Sequence, residues 1–167
     1  MPPIFPRDVV HWRDQSVSAL RKATLSLVEI AALTGLALRL MRAAVLGSST
    51  GSNWIVLVTG VTAGVLLLCG ALTAHLMNFP LRRWALRVPL FALVESAAEA
   101  GMSSILIALG REPFGAGRAS WGDWWTLAGQ ALLERSLVLV AFALLLAAGV
   151  QITRRVMDRR AAADPTP

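Results

Sequence analysis

The chain has 167 residues, of which 56% are hydrophobic and 16% charged, with a formal net charge of +6 and a mean hydropathy of +0.61. A pI near 11.4 is typical of proteins that bind phosphate, but a soluble nucleic-acid-binding domain needs a polar surface that so apolar a chain lacks. The composition therefore excludes a nucleic-acid partner and indicates a protein whose partner is the lipid bilayer.

The first 22 residues precede any predicted span. They lack the basic-then-apolar order of a cleavable signal peptide, so we expect the first span to be retained. Between Val9 and Leu20 the segment mixes apolar and charged residues. One interpretation is a short helix lying on the cytoplasmic membrane surface, and the alternative is an ordinary polar lead-in.

Four stretches are apolar enough to cross a bilayer, for which a helix needs about 20 residues. They lie at about 23–45, 54–77, 88–109 and 125–150. The sequence therefore predicts an all-α protein, a four-helix transmembrane bundle over residues 23–153.

The segments between and after the spans differ in character. Residues 47–53 are rich in Gly and Ser and predict a flexible connector, whereas residues 110–124 form a longer loop that we expect to fold as a small cap. Residues 154–167 are basic and are predicted to form a disordered cytoplasmic tail.

Cationic side chains predict the orientation. Eleven lie before the first span, between the second and third spans or after the fourth, whereas Arg42, Arg111 and Arg118 lie on the other side. We expect the chain to lie in the inner (cytoplasmic) membrane of the cell. The positive-inside rule then predicts that both termini are cytoplasmic.

An internal repeat relates the first and third spans. Residues 19–35 and 85–101 match at nine of seventeen positions with a constant offset of 66, including Glu29 with Glu95 and Gly35 with Gly101. This pattern predicts two helical hairpins in parallel orientation, related by a pseudo-twofold axis along the membrane normal. The alternative is two similar spans without common ancestry.

Ionisable residues inside the spans are the candidate functional groups, because burying a charge in the bilayer is costly. The candidates for binding an ion or proton are Glu29, Glu95, Glu99 and His75. We expect Glu29 and Glu95 to lie at similar depth, with Glu99 one turn deeper. The alternative is that these acids only make hydrogen bonds in a closed bundle or contact a neighbouring subunit.

A second set of charges lies nearer the opposite ends of the spans. Arg39 is expected at the depth of Glu134 and Arg135, so the sequence predicts an intramembrane ion pair between Arg39 and Glu134. Such a pair has an alternative role in which it only sets the register of two helices.

Small residues predict how the helices pack. Ala31 and Gly35 form one small-residue step, and Ala97 and Gly101 form its repeat counterpart, so the first and third spans should be central or interfacial. The second span carries Gly60 and Gly64, a GxxxG step that serves either a dimer or packing within one chain.

Two functional hypotheses follow from these features. The first is a small transporter or channel-like protein for protons, cations or a cationic solute, acting as an oligomer through its intramembrane carboxylates. The second is a non-catalytic accessory subunit of a larger membrane complex, in which the buried charges serve docking. One cysteine, Cys69, and two histidines give little basis for a metal or cofactor site, and enzymatic activity is disfavoured.

Overall fold

The computed structural model describes residues 24–48, 54–115 and 117–163. It contains α1 (Leu27–Ser48), α2 (Trp54–Leu76), a 3₁₀ turn (Leu81–Arg83), α3 (Trp84–Ala108), β1 (Pro113–Phe114), β2 (Gly117–Arg118), a second 3₁₀ turn (Trp121–Asp123) and α4 (Trp124–Ala163). All four α-helices are long and apolar enough to span a membrane, which confirms the all-α, four-helix fold. The surface helix considered for residues 1–22 and most of the 47–53 connector lie outside the described residues.

The turn between α2 and α3 defines one end of the bundle. Arg82 and Arg83 are exposed there, and we call this the basic end. The third span was predicted to start at residue 88, but α3 begins four residues earlier. The indole Nε1 of Trp84 donates to the carbonyl oxygens of Leu76 and Phe79, so the first residue of α3 is tied to the end of α2.

The opposite end carries the predicted cap. β1 and β2 pair antiparallel in a two-stranded hairpin, which Gly110 introduces with a φ of 63°. After the hairpin, Ser120 and Asp123 form a capping box that leads into α4. We call this end the hairpin end. Which end faces the cytoplasm stays a prediction.

The prediction of a disordered tail from residue 154 is wrong for most of that segment. α4 continues through Arg154 and Arg155 to Ala163, and its side chains from Gln151 to Arg159 are exposed. The segment is rich in Arg and Ala, which favour helix, and it holds neither Gly nor Pro before Pro165. At 40 residues α4 is about 60 Å long, so it projects past the basic end.

α1 and α3 form the centre of the bundle, as predicted. α3 packs against α1 on one side and α4 on the other, while α2 packs mainly on α1. The core includes Leu68 and Leu72 of α2, Phe91 of α3 and Leu139 of α4.

Gly35 marks the closest approach of the two central helices. A Cβ atom at Gly35 would overlap the main-chain carbonyl oxygen of Glu95 and lie 3.1 Å from the Ala98 Cβ, so only glycine permits this crossing. The contact also places Glu95 level with Gly35 rather than with Glu29.

The two small-residue steps of the predicted repeat are not equivalent. Ala31 and Gly35 are buried, whereas Ala97 and Gly101 are exposed and a Cβ at Gly101 would meet no atom within 4 Å. Ala97 and Gly101 therefore do not pack within the described part of this chain, because α1 and α4 cover other faces of α3, and their packing at an interface stays a prediction. The parallel repeat itself stays a prediction.

The GxxxG step of α2 packs within the chain. A Cβ at Gly60 would lie 2.7 Å from a methyl group of Val45, and one at Gly64 would lie 2.9 Å from the terminal methyl group of Met41. The step was expected to serve either a dimer or packing within one chain, and the structure shows the second role, in which α2 packs closely on α1.

Candidate functional site

The buried face of α3 supplies the acids of the candidate site. Phe91, Glu95, Glu99 and Ser103 follow one another at intervals of four residues, so they lie on one stripe of the helix, and all are buried. The relative exposure of both Glu95 and Glu99 is 0%. Two carboxyl groups are thus placed one above the other in the middle of a membrane-spanning helix.

Arg39 of α1 extends this arrangement toward the hairpin end. Its Nε and Nη2 donate to the two carboxylate oxygens of Glu112, with 3.2 Å from Nε to Oε2, and its Nη1 lies 3.4 Å from Glu99 Oε1. Arg39 and Glu112 are 2% and 0% exposed. This bidentate pairing is the geometry in which a guanidinium holds a carboxylate most firmly.

The predicted ion pair between Arg39 and Glu134 is therefore wrong. Glu134 is exposed, and Arg39 is held by Glu99 and Glu112. The physical reason is rotational: Glu134 and Arg135 are adjacent on α4, about 100° apart around its axis, and the helix turns Arg135 toward the centre.

Arg135 joins the two acids of α3. Its Nε lies 3.1 Å from Glu99 Oε2 and 3.7 Å from Glu95 Oε1, and only the former distance is a hydrogen bond. The charged groups thus alternate in sign from the hairpin end inward, in the order Glu112, Arg39, Glu99, Arg135 and Glu95. We call these five residues the ion-pair network.

Glu95 is the least satisfied member of the network. Its Oε1 is buried and has no hydrogen-bond donor among the described residues, and its Oε2 has only the Ser96 hydroxyl at 3.5 Å. The network holds three carboxylates against two guanidiniums, so with every group ionised it carries a net charge of −1. A carboxylate in excess of its cationic partners is costly inside a membrane protein, and a proton or cation bound at Glu95 would remove that excess charge.

Glu29 does not belong to the ion-pair network. It is exposed in the first turn of α1, where its main-chain N–H donates to the Ser26 hydroxyl and its charge complements the helix dipole. Since Gly35 is level with Glu95, Glu29 lies six residues, or about 9 Å, nearer the basic end. The expected match in depth between Glu29 and Glu95 is wrong because α1 and α3 are staggered.

A cavity of about 330 Å³ lies beside the network, in the part of the bundle nearer the hairpin end. It is lined by α1, α2 and α4 and is open on one side, and its charged lining residues are Arg42, Glu134 and Arg135. Its apolar lining includes Met41 and Val61. Arg135 thus contacts both the cavity and the two buried acids of α3.

His75 forms a separate polar cluster at the basic end. The ring is 0% exposed, with Nδ1 3.0 Å from the carbonyl oxygen of Thr24 and Nε2 3.1 Å from Arg87 Nη1. The guanidinium of Arg87 in turn lies 3.3 Å from the centre of the Phe79 ring. Both imidazole nitrogens are therefore engaged in the described structure.

Phe91 separates the two polar clusters. It is one turn from Glu95 on the buried stripe of α3, and its ring centre lies 6.3 Å from that of His75. Phe91, Leu68 and Leu72 are fully buried in one apolar cluster. A transfer of protons from His75 to Glu95 would therefore meet apolar side chains in this conformation.

Sequence reasoning missed Glu112. It lies after the end of α3 in the loop that was predicted to form a small cap and was not among the candidate residues, yet it is fully buried, and the main-chain N–H of Ala119 donates to its main-chain carbonyl oxygen. The available signal was Arg39, an intramembrane cation that needs a carboxylate at its own depth.

Comparison with known proteins returned no match, whether to a protein-family model, to a curated protein or to a solved structure.

Proposed function

We propose that this chain is a small membrane transporter in which Glu95 takes up and releases a proton. The single observation that supports the proposal best is the fully buried Oε1 of Glu95, which has no donor among the described residues and belongs to a network with one carboxylate in excess. Protonation of Glu95 removes the excess charge and supplies a hydrogen-bond donor at the same place.

Arg135 is the gate in this proposal. Its guanidinium has hydrogen-bond donors and no acceptor, so it does not relay protons itself, but it lies between Glu95 and the cavity. When Glu95 is protonated, the attraction between its carboxyl group and the guanidinium 3.7 Å away is lost. Arg135 is then held by Glu99 alone, which eases its movement toward the cavity and opens the route to Glu95.

The apolar residues between the two polar clusters form the barrier. In the described conformation Phe91, Leu68 and Leu72 close the path from Glu95 toward the basic end. A transporter keeps one side closed while the other opens, and in this proposal the side toward the basic end is closed while Arg135 controls the side toward the hairpin end.

Proton flux in reconstituted liposomes tests the proposal. Purified protein would be placed in vesicles containing a pH-sensitive dye, and an imposed membrane potential would drive protons inward. We expect flux in the native protein, its loss in Glu95→Gln, and native flux in Asp158→Asn, which changes an exposed acid on the projecting part of α4. Equal flux in Glu95→Gln and the native protein would reject the proposal.

The accessory-subunit hypothesis retains one specific observation. Ala97 and Gly101 lie on an exposed face of α3 between Leu93 and Ile105, a pattern of small residues that suits close approach of another helix. Recovery of one unrelated membrane protein in fixed stoichiometry, lost on Gly101→Leu, together with absent proton flux, would favour this role.

A further inference from the structure

The cavity beside Arg135 has the lining of an amphiphile-binding site. Its volume of about 330 Å³ is at the lower end of the range for small-molecule pockets. Most of its lining is aliphatic, from Leu38, Met41, Val45 and Leu46 on α1 and from Leu57, Val61 and Val65 on α2. The three charged residues of the lining lie on α1 and α4.

Arg42 is the residue that indicates the ligand's charge. It is half-buried against an apolar wall, and no carboxylate among the described residues lies within ion-pairing distance of it. A half-buried guanidinium beside apolar side chains and without a carboxylate partner is available to bind an anion.

Arg135 supplies further donors to the same space. Its contacts with Glu95 and Glu99 use Nε, so among the described residues its two terminal amino groups hold no hydrogen-bond acceptor. The lining holds two arginines and one acid, Glu134, which is exposed. The formal charges of the lining residues therefore sum to +1.

We propose that this cavity binds a single-chain amphipathic anion, with its acidic head on Arg42 and Arg135 and its apolar chain among the aliphatic side chains of α1 and α2. The small volume favours a single-chain amphiphile over a two-chain phospholipid. The assignment names a solute for the proposed transporter and to that extent rests on the proposed function.

The ligand and the proton are coupled through Arg135. An anion on the terminal amino groups draws the guanidinium away from Glu95, which favours the protonated form of Glu95. Conversely, protonation of Glu95 frees Arg135 for the anion. Each partner therefore strengthens the binding of the other.

Photolabelling of the full chain tests the site directly. The probe is dodecanoate carrying a diazirine in its chain, applied to protein in phosphatidylcholine nanodiscs, with the matching diazirine dodecanol as the uncharged control. We expect the carboxylate to label residues 38–46 and 57–65 in preference to the alcohol, and unlabelled dodecanoate to displace it. Labelling spread evenly over lipid-facing helices, or equal labelling by the alcohol, overturns the proposal.

Two matched pairs of variants locate the ligand. Arg42→Gln should lower labelling about tenfold, as expected for a lost charge-assisted hydrogen bond, while Arg82→Gln at the basic end leaves it unchanged. Leu57→Trp should block the cavity, whereas Leu66→Trp, on an exposed part of α2 outside the lining, should not. Tighter competition by dodecyltrimethylammonium than by dodecanoate would show a cation site and overturn the assignment.

Labelling needs no proton flux, so the two proposals fail separately. Unchanged flux in Glu95→Gln rejects the proton transporter while the labelling result stands. Loss of selective labelling beside a Glu95-dependent flux rejects the anion site alone.

Discussion

Arg39 and Glu112 form a bidentate ion pair that joins the middle of α1 to the loop after α3, across 73 positions of the chain. Both side chains are almost completely buried. The loop at the hairpin end is therefore part of the candidate site, because one of its residues neutralises an intramembrane cation.

Glu112→Gln should destabilise the protein. The amide presents an NH₂ group to a guanidinium that has only donors, and breaking a buried ion pair costs on the order of 3 kcal/mol. The measurement is the free energy of unfolding by denaturant in detergent micelles, followed by circular dichroism. Glu134→Gln, at an exposed position, should change it by less than about 0.5 kcal/mol. A larger loss in Glu134→Gln than in Glu112→Gln would contradict the pairing described above.

Gly35→Ala and Gly101→Ala form a second matched pair, because the two glycines correspond in the predicted repeat. The methyl group at Gly35 overlaps the main chain of Glu95, which cannot rotate away, so we expect a loss of about 1–3 kcal/mol from overpacking. The methyl group at Gly101 enters open space, so stability should be unchanged or slightly higher. Equal losses at both positions would indicate that α1 and α3 are related by symmetry rather than staggered.

Glu95→Gln and Glu99→Gln should differ in stability although the two acids are one turn apart. Glu99 accepts a hydrogen bond from each of two guanidiniums, so we expect its replacement to cost about 3 kcal/mol. Glu95 Oε1 accepts none, and removing the excess charge should leave stability unchanged or raise it. Thermal unfolding of the two variants, measured side by side, distinguishes these outcomes. A larger loss of stability in Glu95→Gln than in Glu99→Gln would show that Glu95 is not the carboxylate in excess.

His75 should be a neutral imidazole with its proton on Nδ1. The carbonyl oxygen of Thr24 accepts a hydrogen bond, so Nδ1 must donate, and Arg87 only donates, so Nε2 must accept. Nitrogen NMR of the imidazole in a His11→Gln background, where His75 is the one remaining histidine, measures this directly. An imidazolium signal at neutral pH would contradict the assignment. Replacing Arg87 with Met should shift the Nε2 signal because its donor is removed.

The central acids show how far sequence reasoning reached into the site. Glu95, Glu99, Arg39 and Arg135 were identified as intramembrane charges from the sequence, and the structure brings all four together. Their partners were not predicted, because pairing depends on the rotation of each helix about its axis and its shift along the membrane. Neither quantity can be read from hydropathy.

The sequence by itself determined that the chain is helical and crosses a membrane four times, because a bilayer leaves a long apolar segment few ways to satisfy its backbone hydrogen bonds. It also determined which residues would be costly to bury. Only the tertiary structure decided how those residues pair. The contact of Gly35 with Glu95 sets a stagger of about 9 Å between Glu29 and Glu95. That stagger leaves Glu29 at the first turn of α1 and brings Arg39 to Glu99, and the fold of the hairpin end adds Glu112, which no span contains.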